Sequence, residues 1–228
     1  MTEINKKVSA LFAVGAHFGY SKSKRHPSTK GNIIGAKNGL DIINLEDTVD
    51  QIEKAKTRLS EIFAKGEKVI FVGNKVIIRD LTPEIAKCDK ILYVANRWIG
   101  GTISNFSEIR KRIFRLKRLM DESEKGEFSK YTKKEGLKLE KEIIKLKKYY
   151  FGLIGLTEAP KAIVVVDGKD EDIAVKEALG KGIEVISISS TDTNISEFTY
   201  PIVANDRSRG TVEYIVNELF SGCNSSAK

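Results

Sequence analysis

The sequence predicts an α/β fold, a parallel β-sheet doubly wound with helices on both faces, and three observations carry that prediction. Five short runs, KVIFVG (68–73), ILYVA (91–95), AIVVVD (162–167), EVISIS (184–189) and YPIVA (200–204), are apolar and rich in β-branched residues. They are too short for helices and too uniformly apolar for strands that face water on one side, so they read as buried parallel strands. Amphipathic stretches at 48–65, about 79–86, 170–179 and 207–220 lie between and after the runs, and such alternation implies right-handed crossovers. The third observation is bulk: 228 residues, 41% hydrophobic, with four prolines, can bury roughly 70% of the unfolded surface and are too apolar for disorder.

Taken in order, residues 3–18 pattern as a helix and 19–30 as a polar, basic loop. Within it, Ser21–Lys30 contains Pro27 and no apolar anchor, so this stretch is expected to be mobile until its bases are neutralised. In GNIIGAKNGLDIINL (31–45), Asn38-Gly39 between two apolar runs signals a β-hairpin. The alternation of strand and helix then holds until 104–150, where a crossover is due and no strand-like run occurs. This segment reads as an insertion into an α/β domain made of 1–103 and 151–228. Phe106, Ile109, Ile113, Leu116 and Met120 fall at helical spacing in its first half, and Leu139, Ile143, Leu146 and Tyr150 in its second. Two narrow seams joined by the polar stretch 121–135 predict an antiparallel, coiled-coil-like helical hairpin, with a tip less ordered than its stems.

Charge is segregated along the chain. Thirty-nine Lys+Arg against 31 Asp+Glu give a net +8; residues 110–148 alone hold 15 bases and 7 acids, and residues 1–40 hold seven bases and one acid. Everything outside these two blocks is net −6. Such a distribution makes a field, which scattered lysines would not, and favours a polyanion or an acidic surface as partner. Arg110, Lys111, Arg112, Arg115, Lys117 and Arg118 form the densest group, and four of the six are arginine, the better fork for phosphate. Stacking aromatics at regular spacing are absent there, so binding to nucleic acid is expected to rest on backbone and shape. No apolar run approaches 18 residues, and the first ten residues lead into no signal-type core, so neither secretion nor membrane insertion is expected. Cys88 and Cys223 offer no disulfide framework and no zinc spacing, which suits a reducing, cytoplasmic compartment.

Catalytic machinery is sparse at the predicted strand ends, where this fold class places its active sites. No Gly-x-Gly-x-x-Gly follows a strand and no Gly-Lys-Ser/Thr loop is present, so no cofactor or metal is expected. Asp167, Asp170, Glu171 and Asp192 read as turn and helix-capping acids. His17, ending an apolar run, reads as a semi-buried, hydrogen-bonded residue, and His26, among Lys22, Lys24, Arg25 and Lys30, as part of a phosphate-contacting loop. In Arg97-Trp98-Ile99-Gly100-Gly101 a flat amphipathic ring stands beside a close backbone approach, the other reading of that ring being a packing anchor at the base of the insertion. The competing reading is a nucleotide- or sugar-phosphate-binding enzyme on the same sheet.

Several segments, in order, resemble the bacterial small-subunit ribosomal protein S2 family. They are Gly15-Ala16-His17-Phe18-Gly19, Gly35-Ala36-Lys37-Asn38, Ile42-Ile43-Asn44-Leu45-Glu46-Asp47-Thr48 and Phe71-Val72-Gly73-Asn74-Lys75. The most specific is Asn96-Arg97-Trp98-Ile99-Gly100-Gly101-Thr102-Ile103-Ser104-Asn105, followed by Thr132-Lys133-Lys134-Glu135 and Ala174-Val175-Lys176-Glu177-Ala178. The resemblance spans nearly the whole chain. It implies a flavodoxin-like doubly wound parallel sheet of about five strands with an inserted helical hairpin, no catalysis, and a bacterial or organellar origin. It further implies a ribosome-bound structural role in translation, with 16S-type ribosomal RNA and neighbouring small-subunit proteins as partners, the mRNA-binding ribosomal protein S1 among them. Combined with the charge pattern, it makes Lys22, Lys24, Arg25, His26, Lys30, Lys37, Lys75, Arg97, Trp98, Arg110, Lys111, Arg112, Arg115, Lys117, Arg118, Lys133 and Lys134 the expected RNA contacts. The family has a second histidine where Tyr20 stands and Trp-Asn-Pro where Arg25-His26-Pro27 stands.

Overall fold

In a computed structural model, which describes residues 3–85 and 88–223, the first helix, α1 (Glu3–Ala13), ends before Gly15. Gly15 takes φ +77°, a left-handed turn that stops the helix short of residue 18. Three antiparallel strands follow, β1 (Phe18–Ser21), β2 (Ile33–Lys37) and β3 (Leu40–Ile43), in the order β1-β3-β2. The predicted hairpin is β2–β3, and both turn residues, Asn38 and Gly39, have the positive φ that a two-residue type I′ turn requires.

Residues 21–30 are not a free loop, which corrects the expectation of mobility. They comprise the end of β1, the 3₁₀ turn Lys22–Lys24 and most of a second, Pro27–Asn32. Thr29 is fully buried and its hydroxyl donates to the carbonyls of His26 at 2.8 Å and Thr191 at 3.0 Å. The His26 amide donates to the same Thr191 carbonyl at 2.8 Å. A Cβ on Gly19 would stand 2.7 Å from the Thr191 side chain, so glycine is what allows this approach. The anchors are polar, and apolar patterning in the sequence does not register them.

After α2 (Leu45–Ala64), the five apolar runs become β4 (Val69–Val72), β5 (Ile91–Val94), β6 (Ala162–Val166), β7 (Glu184–Ser189) and β8 (Tyr200–Val203). They form one parallel sheet in the order β5-β4-β6-β7-β8. Alternate residues of β4 to β7 enter different cores. Val69, Phe71, Val164 and Ile186 pack with α1, α2 and α7 (Arg209–Phe220), whereas Ile70, Val72, Val165 and Val185 pack with α6 (Asp172–Gly180) and the region after β5. Each such side chain contributes about 1.5–3 kcal/mol by leaving water, so the two-sided sheet is the main source of stability. Pro201 is tolerated because β8 is an edge strand, paired with β7 alone. The helix expected at 79–86 is shorter: α3 covers Thr82–Ile85 after irregular turns, and Ala86 lies outside the described residues. α7 starts at Arg209 rather than 207, because Ser208 Oγ accepts from the Thr211 amide and sets the N-cap.

Between β5 and β6 lie two helices, α4 (Phe106–Glu124) and α5 (Lys133–Tyr150), packed on each other. Ile109, Ile113, Leu116, Ile143 and Tyr150 are buried, while Phe106, Met120 and Leu146 are half-buried. Leu119, outside the expected stripe, is fully buried. The polar connector is structured by a 3₁₀ turn (Glu127–Lys130) and a capping box. In that box Thr132 Oγ1 accepts from the Glu135 amide and Glu135 Oε2 accepts from the Thr132 amide at 3.0 Å. Cys88 and Cys223, 135 residues apart and expected to form no framework, are joined in a disulfide with Cα atoms 6.4 Å apart. Sequence spacing could not show that the approach to β5 and the end of α7 meet in space.

Candidate nucleic-acid interface

The N-terminal bases divide by environment. Lys22, Lys24, Lys30 and Lys37 are exposed and make no ion pair among the described residues. Arg25 turns inward, its Nε donating to Oδ2 of the buried Asp41 at 2.8 Å. Both charges are thereby satisfied, so Arg25 is a brace for the loop and not a free phosphate fork. His26 is half-buried, its Nδ1 2.8 Å from Ser28 Oγ, and caps the second 3₁₀ turn. His17 lies sandwiched between Phe12 and Phe18, with ring centroids 4.3 and 4.0 Å away; burial, with Lys37 adding repulsion, lowers its pKa. Contrary to the hydrogen-bonded role expected for it, its Nδ1 has no hydrogen-bond partner among the described residues. One contact escaped the sequence reading: Arg207 stacks on Tyr20 at 4.2 Å and its Nε donates to the phenol oxygen at 2.7 Å. With Phe18, Lys24, Ser190 and Asn205 they line a cleft of about 370 Å³ beside the ends of β7 and β8.

At the strand ends, Lys75 is engaged internally. Its Nζ lies 2.6 Å from Asp167 Oδ2 and 2.9 Å from Asp206 Oδ2, and its side chain is 17% exposed. Burial lowers the ammonium pKa, but the two carboxylates outweigh this and raise it. Burial likewise pushes Asp206 up to about 6 against the attraction of Lys75. The sequence offered Lys75 as an RNA contact; the geometry makes it the counter-charge of a buried acidic pair. Glu171, expected to cap, caps nothing: it is 4% exposed, its Oε1 has no partner, and burial with Asp170 and Asp167 nearby pushes it up to about 7. Asp167 keeps that reading, its Oδ1 accepting from the Asp170 amide at 3.2 Å, whereas Asp192 accepts from Lys169 Nζ at 3.0 Å.

The Arg97–Gly101 turn separates two roles that the sequence ran together. Arg97 is exposed, whereas Trp98 is 3% exposed and packs in the core beneath α4 and α5. Trp98 is therefore a packing anchor, and not a surface for stacking. The turn is held by Glu177 on α6, which the charge pattern gave no reason to single out. Its carboxylate accepts from the amides of Gly101 at 2.5 Å, Ile103 at 3.1 Å and Ser104 at 3.3 Å.

On α4 the six bases again divide. Lys111, Arg115 and Arg118 bind Glu108, Glu142 and Glu122 at 2.6, 3.2 and 2.6 Å. Arg110, Arg112 and Lys117 are exposed and make no ion pair among the described residues, and the same holds for Lys133 and Lys134 at the start of α5. The structure thus gathers the free bases into two groups and not one. One group lies on the N-terminal strands and turns, which lean on the β7–β8 loop; the other lies on the helices that follow β5, at the opposite edge of the sheet. Among the described residues, no three His, Cys, Asp or Glu side chains are grouped so as to hold a metal ion. Among the same residues, no helix is long and apolar enough to cross a membrane.

Residues 11–226 match the family model described as ribosomal protein S2. The chain is 37% identical over 210 residues to the small ribosomal subunit protein uS2 of Roseiflexus sp. (strain RS-1), covering 92% of this chain and 80% of that one. It is 36% identical over 212 residues to the uS2 protein of Dehalococcoides mccartyi (strain ATCC BAA-2266 / KCTC 15142 / 195), covering 93% and 86%. With the uS2 protein of Chloroflexus aurantiacus (strain ATCC 29366 / DSM 635 / J-10-fl), identity is 35% over 199 residues, covering 87% and 84%.

Proposed function

The chain belongs to the ribosomal protein S2 family, and from that membership we propose that it is a structural constituent of the small ribosomal subunit, bound to 16S-type ribosomal RNA by backbone and shape. The observation that carries the RNA reading is the set of exposed, unpaired bases: Lys22, Lys24, Lys30 and Lys37 on one side, and Arg110, Arg112, Lys117, Lys133 and Lys134 on the other. Each leaves a charge that a phosphate can satisfy, and each phosphate so bound releases about 0.7–0.9 of a counterion. Arg97 joins the second group from the root of α4. Residues 104–150 act as an inserted arm that carries charge away from the α/β domain. Neighbouring small-subunit proteins, ribosomal protein S1 among them, contact the remaining surface. The non-catalytic reading is supported at the strand ends, where Lys75 is held between Asp167 and Asp206.

The test is a sucrose gradient of lysate carrying the tagged protein. It is expected to sediment with small subunits and to leave them as salt rises; a pool that stays entirely free while ribosomes assemble normally would defeat the reading.

A further inference from the structure

Phe114 has no place in the seam of α4. It is 68% exposed, directly after the buried Ile113, and everything at helical spacing around it is basic: Arg110 four residues before, Lys111 three before, Lys117 three after and Arg118 four after. Two of these, Lys111 and Arg118, are tied to Glu108 and Glu122. The other two, Arg110 and Lys117, carry no ion pair among the described residues and flank the ring along one line of the helix, about 10 Å apart. A large ring left in water at the centre of a cationic face stabilises nothing within the chain. It has, however, the two elements of a single-strand platform: a π-face for a base, and cations for the phosphates on either side of it.

We propose that Phe114 stacks on an unpaired RNA base while Arg110 and Lys117 hold the adjoining phosphates. This rests on the RNA-binding reading above and narrows it. A fully paired helix offers no base face at its surface, so α4 selects a bulge, loop or junction. An acidic partner protein is the less favoured occupant, because its apolar contact would accept any bulky aliphatic side chain and would not require a ring.

The experiment uses the full chain and two labelled RNA hairpins of equal length, one fully paired and one with bulged adenosines, titrated at several salt concentrations. The wild type is expected to prefer the bulged RNA. Phe114→Ala and Phe114→Leu should each weaken binding to the bulged RNA by about 5- to 150-fold, the range for losing one stacked base, with paired RNA unaffected and the salt slope unchanged. Phe114→Trp should retain the preference. Because the side chain is exposed, these variants are expected to keep the wild-type melting temperature. Arg110→Gln with Lys117→Gln should flatten the salt slope on both RNAs. If this pair flattens the slope while Phe114→Ala changes neither affinity, stacking is overturned and the RNA reading stands. Full retention by Phe114→Leu would show an aliphatic contact and overturn it as well. If the wild type binds neither RNA in a salt-dependent way, the RNA reading itself fails and stacking fails with it.

Discussion

Glu171 shows how a residue legible by type can be misread by position. An acid just ahead of a helix is ordinarily a cap, yet this carboxyl is buried without a partner, and burial with two neighbouring aspartates pushes it up to about 7. An unfolded glutamate titrates near 4.3, so between that value and 7 the folded chain binds the extra proton and its stability falls as pH rises. Glu171→Gln keeps the shape and cannot ionise. It is expected to be nearly neutral at pH 4.5 and to stabilise by about 1–3 kcal/mol at pH 8, read from urea unfolding at both values. An equal effect at the two pH values would show that Glu171 is not the group that titrates. Glu177 was equally opaque in sequence: the motif around it pointed to a family, but the reason for a glutamate is that three amides of the 101–104 turn converge on it. Glu177→Ala should cost about 1–3 kcal/mol, since it leaves those donors with no acceptor in a partly buried place, and a change below about 0.5 kcal/mol would refute the brace.

At the scale of elements, apolar periodicity was a reliable guide and polar anchoring was not. The five strands and α4 and α5 lie close to where the apolar spacing puts them, because hydrophobic repeats are local and survive translation into one dimension. The 21–30 segment failed because its anchors, Thr29 to Thr191 and Arg25 to Asp41, join residues far apart in sequence or of unremarkable type. The amides of His26 and Thr29 are therefore expected to be protected from hydrogen exchange in the free protein, and rapid exchange there would restore the picture of a mobile loop. In α4, bases alike in sequence differ in what they can do. Arg110→Gln, Arg112→Gln and Lys117→Gln together should lower the salt slope of RNA binding by about two units. Replacing the engaged Lys111, Arg115 and Arg118 should lower it by less, because their charges are already partly answered by Glu108, Glu142 and Glu122.

The whole molecule is a two-sided sheet whose second face depends on the helices that carry the charge. Ile109, Ile113, Leu116 and Tyr150 share a core with Ile70, Val72, Leu92 and Val94, so the root of α4 and α5 takes the place of a crossover helix. Sequence could show that 104–150 lacked a strand, but not that Ile109, Ile113, Leu116 and Tyr150 join the core of the sheet while the buried Leu119 and Ile143 lie outside it. A graded truncation tests this division. Excising 119–137 and closing the gap with a short glycine-serine turn removes the end of α4 and the start of α5 and spares the residues that join the core. The product is expected to fold cooperatively, with the far-UV signal reduced by the lost helix and RNA binding weakened through loss of Lys133 and Lys134 and part of the cationic face. Deleting 104–150 entirely uncovers the sheet face, and each uncovered Ile, Val or Leu costs about 1.5–3 kcal/mol, enough for a few of them to exceed a marginal stability of about 5–15 kcal/mol. That chain should be insoluble or bind a hydrophobic dye without a cooperative melt. If it instead melts like the full protein, α4 and α5 are an appendage, and the second core is complete without them.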